Sequence, residues 1–535
     1  MRLLSLLGSV ALATATPLVK TSYGDLVGTE SPYRPGVNVY RGIPYAKPPV
    51  GDLRFRAPEK PDNWTGTLNA TVFGPQCIQP NTGSSIFTTG DSAQSEDCLY
   101  INVWTPENAT AGDNLPVYLW MYGGRYYLGS GDVLTYDGSG LAQKDVIVVT
   151  FNYRLGVLGF FAHPELSAES GHNSSGNYGL LDAINALTWV HEEIAAFGGN
   201  PEHITVGGQS AGSCSALSMM WSPLTEGLGL KGVIAETGAR SVHDPMTGGS
   251  STSYRDKVGA ETFGELFLEE LNLTSVAELR AMNASDLSSY GYDNDIVYEN
   301  TQFANLSAFM EPPEFRPVVD GYVLTHTYGD ALRLNAHADV PILTGNNADE
   351  SGADVDPGLT LAEFDEDFSA MFGNSSAAAF ALYPADNASM ADMQNNAIFR
   401  DLNRIGTWDW GKDYNAGGAQ SNVYTYFWTH AAPTGSGGAF HGSELYYAFA
   451  SIPYADTSAN WTETDYEVME TMSTYWANFI KHSDPNGDGL AEWPANSADN
   501  HTCMWLGNQF QAGMLADPVE RIDFFMDWFA TQRQW

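Results

Sequence analysis

Residues 204–213 read Ile-Thr-Val-Gly-Gly-Gln-Ser-Ala-Gly-Ser. The β-branched run Ile204, Thr205 and Val206 favours a strand, the Gly207-Gly208 pair permits a sharp turn, and the small residues up to Met220 suit a helix. Gly208-Gln209-Ser210-Ala211-Gly212 thus sets one hydroxyl at the tip of a strand–turn–helix, with a glycine two residues to either side so that strand and helix can approach closely. A serine hydroxyl is a weak nucleophile at its free pKa. It needs a base to take its proton and donors to hold the oxyanion formed on attack. The unpaired N–H groups and positive dipole end of the next helix supply part of that stabilisation. Alone, the pentapeptide is equally a tight glycine turn, so the chemistry depends on a base, an acid and an oxyanion loop occurring in the right order.

Hydrolases built on such an elbow place the acid and then the histidine after the serine. Pro341-Ile342-Leu343-Thr344-Gly345 reads as a strand opening into Asn346-Asn347-Ala348-Asp349-Glu350, and either Asp349 or Glu350 could orient an imidazole. Among the late histidines, His441 is best placed, in a glycine-flanked loop after a strand at 422–428. His430 falls at a strand end, and His482 and His501 lie among surface-type residues. Tyr122-Gly123-Gly124-Arg125 follows another strand and offers backbone N–H groups that can converge with that of Ala211. A phosphate-binding glycine loop would call for a Lys-Ser/Thr pair, which this stretch lacks.

Strand patterns at 99–104, 117–122, 145–151, 233–236, 341–344 and 422–428 alternate with helical ones, as at 180–196, which stops at Gly198-Gly199. The nearly continuous apolar run at 145–151 predicts a central strand covered on both faces. The alternation predicts an α/β fold with a central, mostly parallel sheet flanked by helices. Helical patterns at 254–309 and 361–410 predict excursions over the sheet edge that carries the site. The last clear strand is the one at 422–428. Glycine-, serine- and threonine-rich patches at 247–253 and 433–438 read as loops, and Asp484-Pro485-Asn486-Gly487-Asp488-Gly489 as a turn rather than a calcium loop, because Ala495 stands where the closing Glu is needed.

With 24 Lys plus Arg against 64 Asp plus Glu, the net charge of −40 repels phosphate backbones and anionic headgroups, which argues against nucleic-acid and electrostatic membrane partners. Arg2, an apolar run at 3–13 and the small residues of Ala13-Thr14-Ala15 predict an export signal over 1–15, leaving residues 16–535 as a single domain. No later run is long enough to span a bilayer. Eleven Asn-X-Ser/Thr sequons agree with a secreted, extracellular glycoprotein. In an oxidising compartment Cys77 and Cys98 are the natural disulfide pair of the four cysteines, while Cys214 reads as a small buried apolar residue.

In these residues the chain resembles the type B carboxylesterase family of α/β-hydrolases, which includes cholinesterases and fungal lipases, from about residue 23 to 505. The resemblance is carried by Gly42-Ile43-Pro44-Tyr45, Ser95-Glu96-Asp97-Cys98-Leu99, Asn152-Tyr153-Arg154-Leu155-Gly156, Gly179-Leu180-Leu181-Asp182, Phe197-Gly198-Gly199-Asn200-Pro201, the elbow, Asp349-Glu350 and His441-Gly442-Ser443-Glu444. It implies Ser210 as nucleophile, Glu350 as acid and His441 as base, with Gly124, Arg125 and Ala211 as the oxyanion hole. It also implies a Cys77–Cys98 disulfide, ion pairs of Arg54 with Glu96 and Arg154 with Asp182, and a small-molecule carboxylic ester as substrate, with neither cofactor nor metal.

Three departures from the family pattern bear on specificity. Arg125 replaces the third glycine of the oxyanion loop, keeping the N–H but adding a guanidinium suited to polar or anionic acyl groups. Gln209 replaces the usual Glu before the nucleophile, which weakens any preference for cationic alcohols. Thr237-Gly238 replaces a Ser-Gly pair and keeps a hydroxyl expected near His441 and Glu444. The loop between Cys77 and Cys98, a lid in lipases of the family, is short and polar here, which favours soluble esters over emulsified triglycerides. A true lipase or sterol esterase is the same-class alternative, and a non-catalytic binding protein on the same fold the different-class one.

Overall fold

The computed structural model describes residues 16–89, 93–249, 253–434 and 437–534. The expected export signal therefore lies outside the described residues, as do parts of the two expected loops at 247–253 and 433–438. Eleven strands form one sheet: β1 (Thr29–Glu30), β2 (Val37–Pro44), β3 (Tyr100–Pro106), β4 (Leu115–Met121), β5 (Ile147–Phe151), β6 (Gly199–Gln209), β7 (Leu230–Glu236), β8 (Ile342–Asn347), β9 (Val423–Trp428), β10 (Thr502–Leu506) and β11 (Gln511–Met514). Across the sheet they run β11-β10-β9-β8-β7-β6-β4-β5-β3-β2-β1.

Every pairing from β5 through β4, β6, β7, β8 and β9 to β10 is parallel, and the flanking strands at both ends pair antiparallel. All five residues of β5 are buried, as a strand covered on both faces requires. Two strands, β10 and β11, follow the one expected to be last. Residues 502–506 and 511–514 are short; the outermost strand, 511–514, is largely exposed, and 502–506 is mostly buried but too short an apolar run to stand out as a strand.

The helix predicted over 180–196 is α1 (Tyr178–Glu193), which tightens into a 3-10 turn over Ile194–Phe197 and ends at Gly198 with φ +92°. Directly after β6 comes α2 (Ala211–Trp221), buried along its whole length. The two expected helical excursions are present: α3 (Lys257–Glu270) opens the first, and α4 (Leu361–Phe372) with α5 (Ala388–Ala416) builds the second. The long α6 (Glu463–His482) follows β9 and starts with a capping box between Thr462 and Asp465.

Cys77 and Cys98 are joined as a disulfide, and Cys214 and Cys503 are free and buried, with burial pushing both thiols up to about 12. Arg54 donates to Glu96 from Nε and Nη2, and Arg154 to Asp182 in the same two-pronged way, the second pair almost wholly buried. Such planar, bidentate pairs fix both partners in orientation as well as distance.

Candidate active site

Steric constraint is tight at the elbow. Ser210, between β6 and α2, has φ +57° and ψ −126°, outside the regions an L-residue normally adopts. A Cβ on Gly208 would stand 2.3 Å from the backbone of Gly212, and one on Gly212 would stand 2.0 Å from the Met121 carbonyl oxygen. The motif glycines are thus dictated by contact of the elbow with itself and with β4. The same packing brings the glycine loop after β4 onto the elbow, where a Cβ on Gly123 would meet the Gln209 carbonyl at 2.7 Å.

Among the described residues, the backbone N–H groups of Gly124, Arg125 and Ala211 donate to no protein acceptor. Gly124 has φ +103° and Arg125 φ +53°, the latter a left-handed conformation that costs a residue with a Cβ about 1–2 kcal/mol. The strain is held by two hydrogen bonds from Arg125 Nη2, to Asn294 Oδ1 at 3.0 Å and the Glu311 carbonyl at 2.6 Å. Desolvation holds this guanidinium below its ordinary pKa.

His441 Nδ1 lies 2.5 Å from Glu350 Oε2. Glu350 keeps 1% of its side-chain surface exposed and the imidazole 39%, so a buried carboxyl holds an imidazole open on one side. Glu350 Oε1 also accepts from the Asn347 N–H at 2.7 Å, and Thr237 Oγ1 lies 3.2 and 3.3 Å from the two carboxylate oxygens. The Thr237 hydroxyl expected near His441 and Glu444 is therefore spent on Glu350 itself. Burial pulls the imidazole pKa down, but the Glu350 hydrogen bond and the charges of Glu350 and Glu444 outweigh it, leaving His441 above its ordinary value.

The alternative acid, Asp349, turns elsewhere. It pairs with Arg400 Nη2 at 2.6 Å and accepts from the Ala439 N–H at 2.7 Å, which ties the turn after β8 to the loop bearing His441. His430 sits beyond the end of β9 and bonds Asp465 and Asn508. Among the described residues no hydrogen bond joins Ser210 Oγ to the imidazole. The Gln209 amide nitrogen stands 3.4 and 3.3 Å from His441 Nδ1 and Nε2, packed against the ring.

The disulfide loop differs from expectation in one respect. Its polar composition hides two inward apolar side chains: Phe87 abuts Gly123 and Ile86 abuts Gly442. The loop is pinned by Gln79, which exchanges hydrogen bonds with both backbone groups of Gly129, and by the Phe87 carbonyl, which accepts from the Ser130 N–H at 2.9 Å. Two isolated apolar residues carry no periodic signal, so their direction could not be read from the sequence. The role of Asn347 was likewise invisible. Its side chain donates to the Phe440 carbonyl and to Glu444, joining β8 to the histidine loop.

The family model described as "Carboxylesterase family" matches residues 15–521. The chain belongs to the carboxylesterase family. Among relatives, the esterase is 34% identical to the fumonisin B1 esterase of Sphingopyxis macrogoltabida over 94% of this chain and 89% of that protein. It is 32% identical to the para-nitrobenzyl esterase of Bacillus subtilis over 92% and 95% of the two chains, and 32% identical to a rabbit (Oryctolagus cuniculus) cocaine esterase over 91% and 90%. A solved PNB esterase superposes with a TM-score of 0.74 at 31% identity, covering 95% of this chain and 98% of that one. The fold is therefore that of the α/β-hydrolases, and the esterase is a carboxylic ester hydrolase. Among the described residues no helix is long and apolar enough to cross a membrane.

Proposed function

We propose that this carboxylesterase cleaves its ester through an acyl-enzyme formed on Ser210, with His441 as general base and acid, Glu350 as the orienting carboxylate, and the N–H groups of Gly124, Arg125 and Ala211 holding the oxyanion. The observation that carries this is the 2.5 Å contact of His441 Nδ1 with a buried Glu350, which commits the other ring nitrogen, Nε2, to accepting a proton. His441 takes the Ser210 proton as the hydroxyl attacks, passes it to the leaving alcohol, then activates water to release the acid. Catalytic hydrogen bonds are often long in an empty site and tighten once substrate is bound.

The disulfide and the sequons support export to the extracellular space. Ten of the eleven sequon asparagines are exposed, Asn500 alone being half-buried. The pinned disulfide loop supports a preference for soluble esters. A serine-directed phosphonate tests the assignment: it should label the peptide bearing Ser210 and abolish hydrolysis, and Ser210→Ala should lose both. Full hydrolysis by Ser210→Ala would sink it.

A further inference from the structure

Behind the histidine lies a second polar cluster that the proposed reaction does not use. Glu236, the last residue of β7, and Glu444, three residues after His441, are both fully buried. Glu236 Oε1 accepts from Trp476 Nε1 of α6 at 3.1 Å and Glu444 Oε2 from Asn347 Nδ2, but among the described residues Glu236 Oε2 and Glu444 Oε1 have no partner. Two buried hydroxyls, Tyr426 of β9 and Tyr118 of β4, are also unpartnered among the described residues. Glu236 and Tyr426 flank Gly345 of β8 in register, the Tyr118 hydroxyl lies over Gly207 beside Ile234, two residues before Glu236, and Asn347, which holds Glu444, is two residues beyond Gly345, so these groups share one interior region. Among the described residues neither carboxyl has an arginine or lysine against it: Glu236 faces Trp476, Tyr118, Tyr426 and Glu444, while Glu444 faces Glu236, Glu350, Asn347, Tyr426 and His441.

Two buried carboxylates without a cation cannot both stay ionised at a tolerable cost. Protonating one turns an unpartnered oxygen into a donor for the other, as in carboxyl dyads generally. We propose that Glu236 and Glu444 share one proton at neutral pH, directly or through enclosed water, and that the remaining negative charge of the pair sets the pH at which His441 accepts its proton. Burial, and for Glu444 also the neighbouring charges of Glu236 and Glu350, holds both carboxyls above the ordinary carboxylate range, so the pair resists losing its last proton at neutral pH. The pair acts through His441 and does not touch substrate. It is a positioning element that rests on the triad proposed above.

The test has two readouts. Infrared difference spectra of the inactive Ser210→Ala protein should carry a protonated-carboxyl band that disappears as pH rises through about 8; Glu236→Gln should remove it, while Glu444→Gln should shift its frequency, because burial alone keeps a proton on Glu236. This signal needs no catalysis, so it stands or falls separately from the triad. In the active enzyme the kcat/KM profile should show an alkaline inflection near pH 8 that Glu236→Gln abolishes and Glu444→Gln shifts. Glu444→Gln should in addition move the acid limb down by on the order of one pH unit, the scale of one nearby charge. Glu236→Gln should leave that limb in place, because Glu444 then ionises and keeps the charge. No protonated-carboxyl band in the Ser210→Ala protein would overturn the sharing, and Gln variants that lose rate with unmoved limbs would overturn the tuning.

Discussion

Replacing Glu350 with glutamine separates the two acids that adjoin in the sequence. The carboxylate accepts from His441 Nδ1 on one oxygen and from the Asn347 N–H on the other, with Thr237 Oγ1 between them. Glutamine has one acceptor where the site presents donors on both sides. If its oxygen keeps Asn347, its NH2 faces Nδ1, which must then accept; the ring proton moves to Nε2 and the lone pair needed by Ser210 is gone. If the amide turns round, its NH2 confronts the Asn347 N–H, and two opposed buried donors cost about 1–3 kcal/mol. A wrong tautomer at such a dyad costs about 10⁴ in rate, about 5 kcal/mol at 1.36 kcal/mol per decade. We expect Glu350→Gln to lower kcat on a p-nitrophenyl ester by about 10³–10⁴-fold. Asp349→Asn, which loses the Arg400 pair and the Ala439 contact, should cost less than about tenfold in rate and appear mainly as a lower Tm. The reverse ranking, with Asp349→Asn inactive and Glu350→Gln within tenfold of wild type, would refute the assignment.

Gly212→Ala would push a Cβ to within 2.0 Å of the Met121 carbonyl, so β4 must give; such overpacking costs about 1–3 kcal/mol, and the shifted oxyanion loop should lower kcat by about 10²-fold, measured with Tm on the same sample. Because His441 is held above its ordinary value, the acid limb of kcat/KM should lie above the 6.5 of a free imidazole: activity is lost as pH falls through the raised pKa, and steady-state rates across pH check this. Removing the disulfide by Cys77→Ser with Cys98→Ser, at a sequence separation of 21, should cost about 3 kcal/mol in chemical denaturation and loosen Ile86 and Phe87 over the site. Arg125→Gly should relieve backbone strain yet lower kcat/KM for esters with an acidic acyl group relative to neutral ones; an unchanged ratio would remove the guanidinium from specificity.

The sequence alone determined what short-range pattern can encode: a β-branched run and two glycines around Ser210, buried parallel strands such as 147–151, and the order serine, acid, histidine along the chain. Periodicity and turn chemistry act over a few residues, so these were legible from the chain itself. Tertiary packing decided which of two adjacent carboxyls meets the imidazole, because Arg400 on α5 takes Asp349 and frees Glu350 for His441. It also sent the Thr237 hydroxyl to Glu350, turned Ile86 and Phe87 inward, extended the sheet by two edge strands, and enclosed Glu236 with Glu444. Each of these depends on atoms from elements far apart in the chain, whose mutual distances arise only when the sheet and its helices close around them.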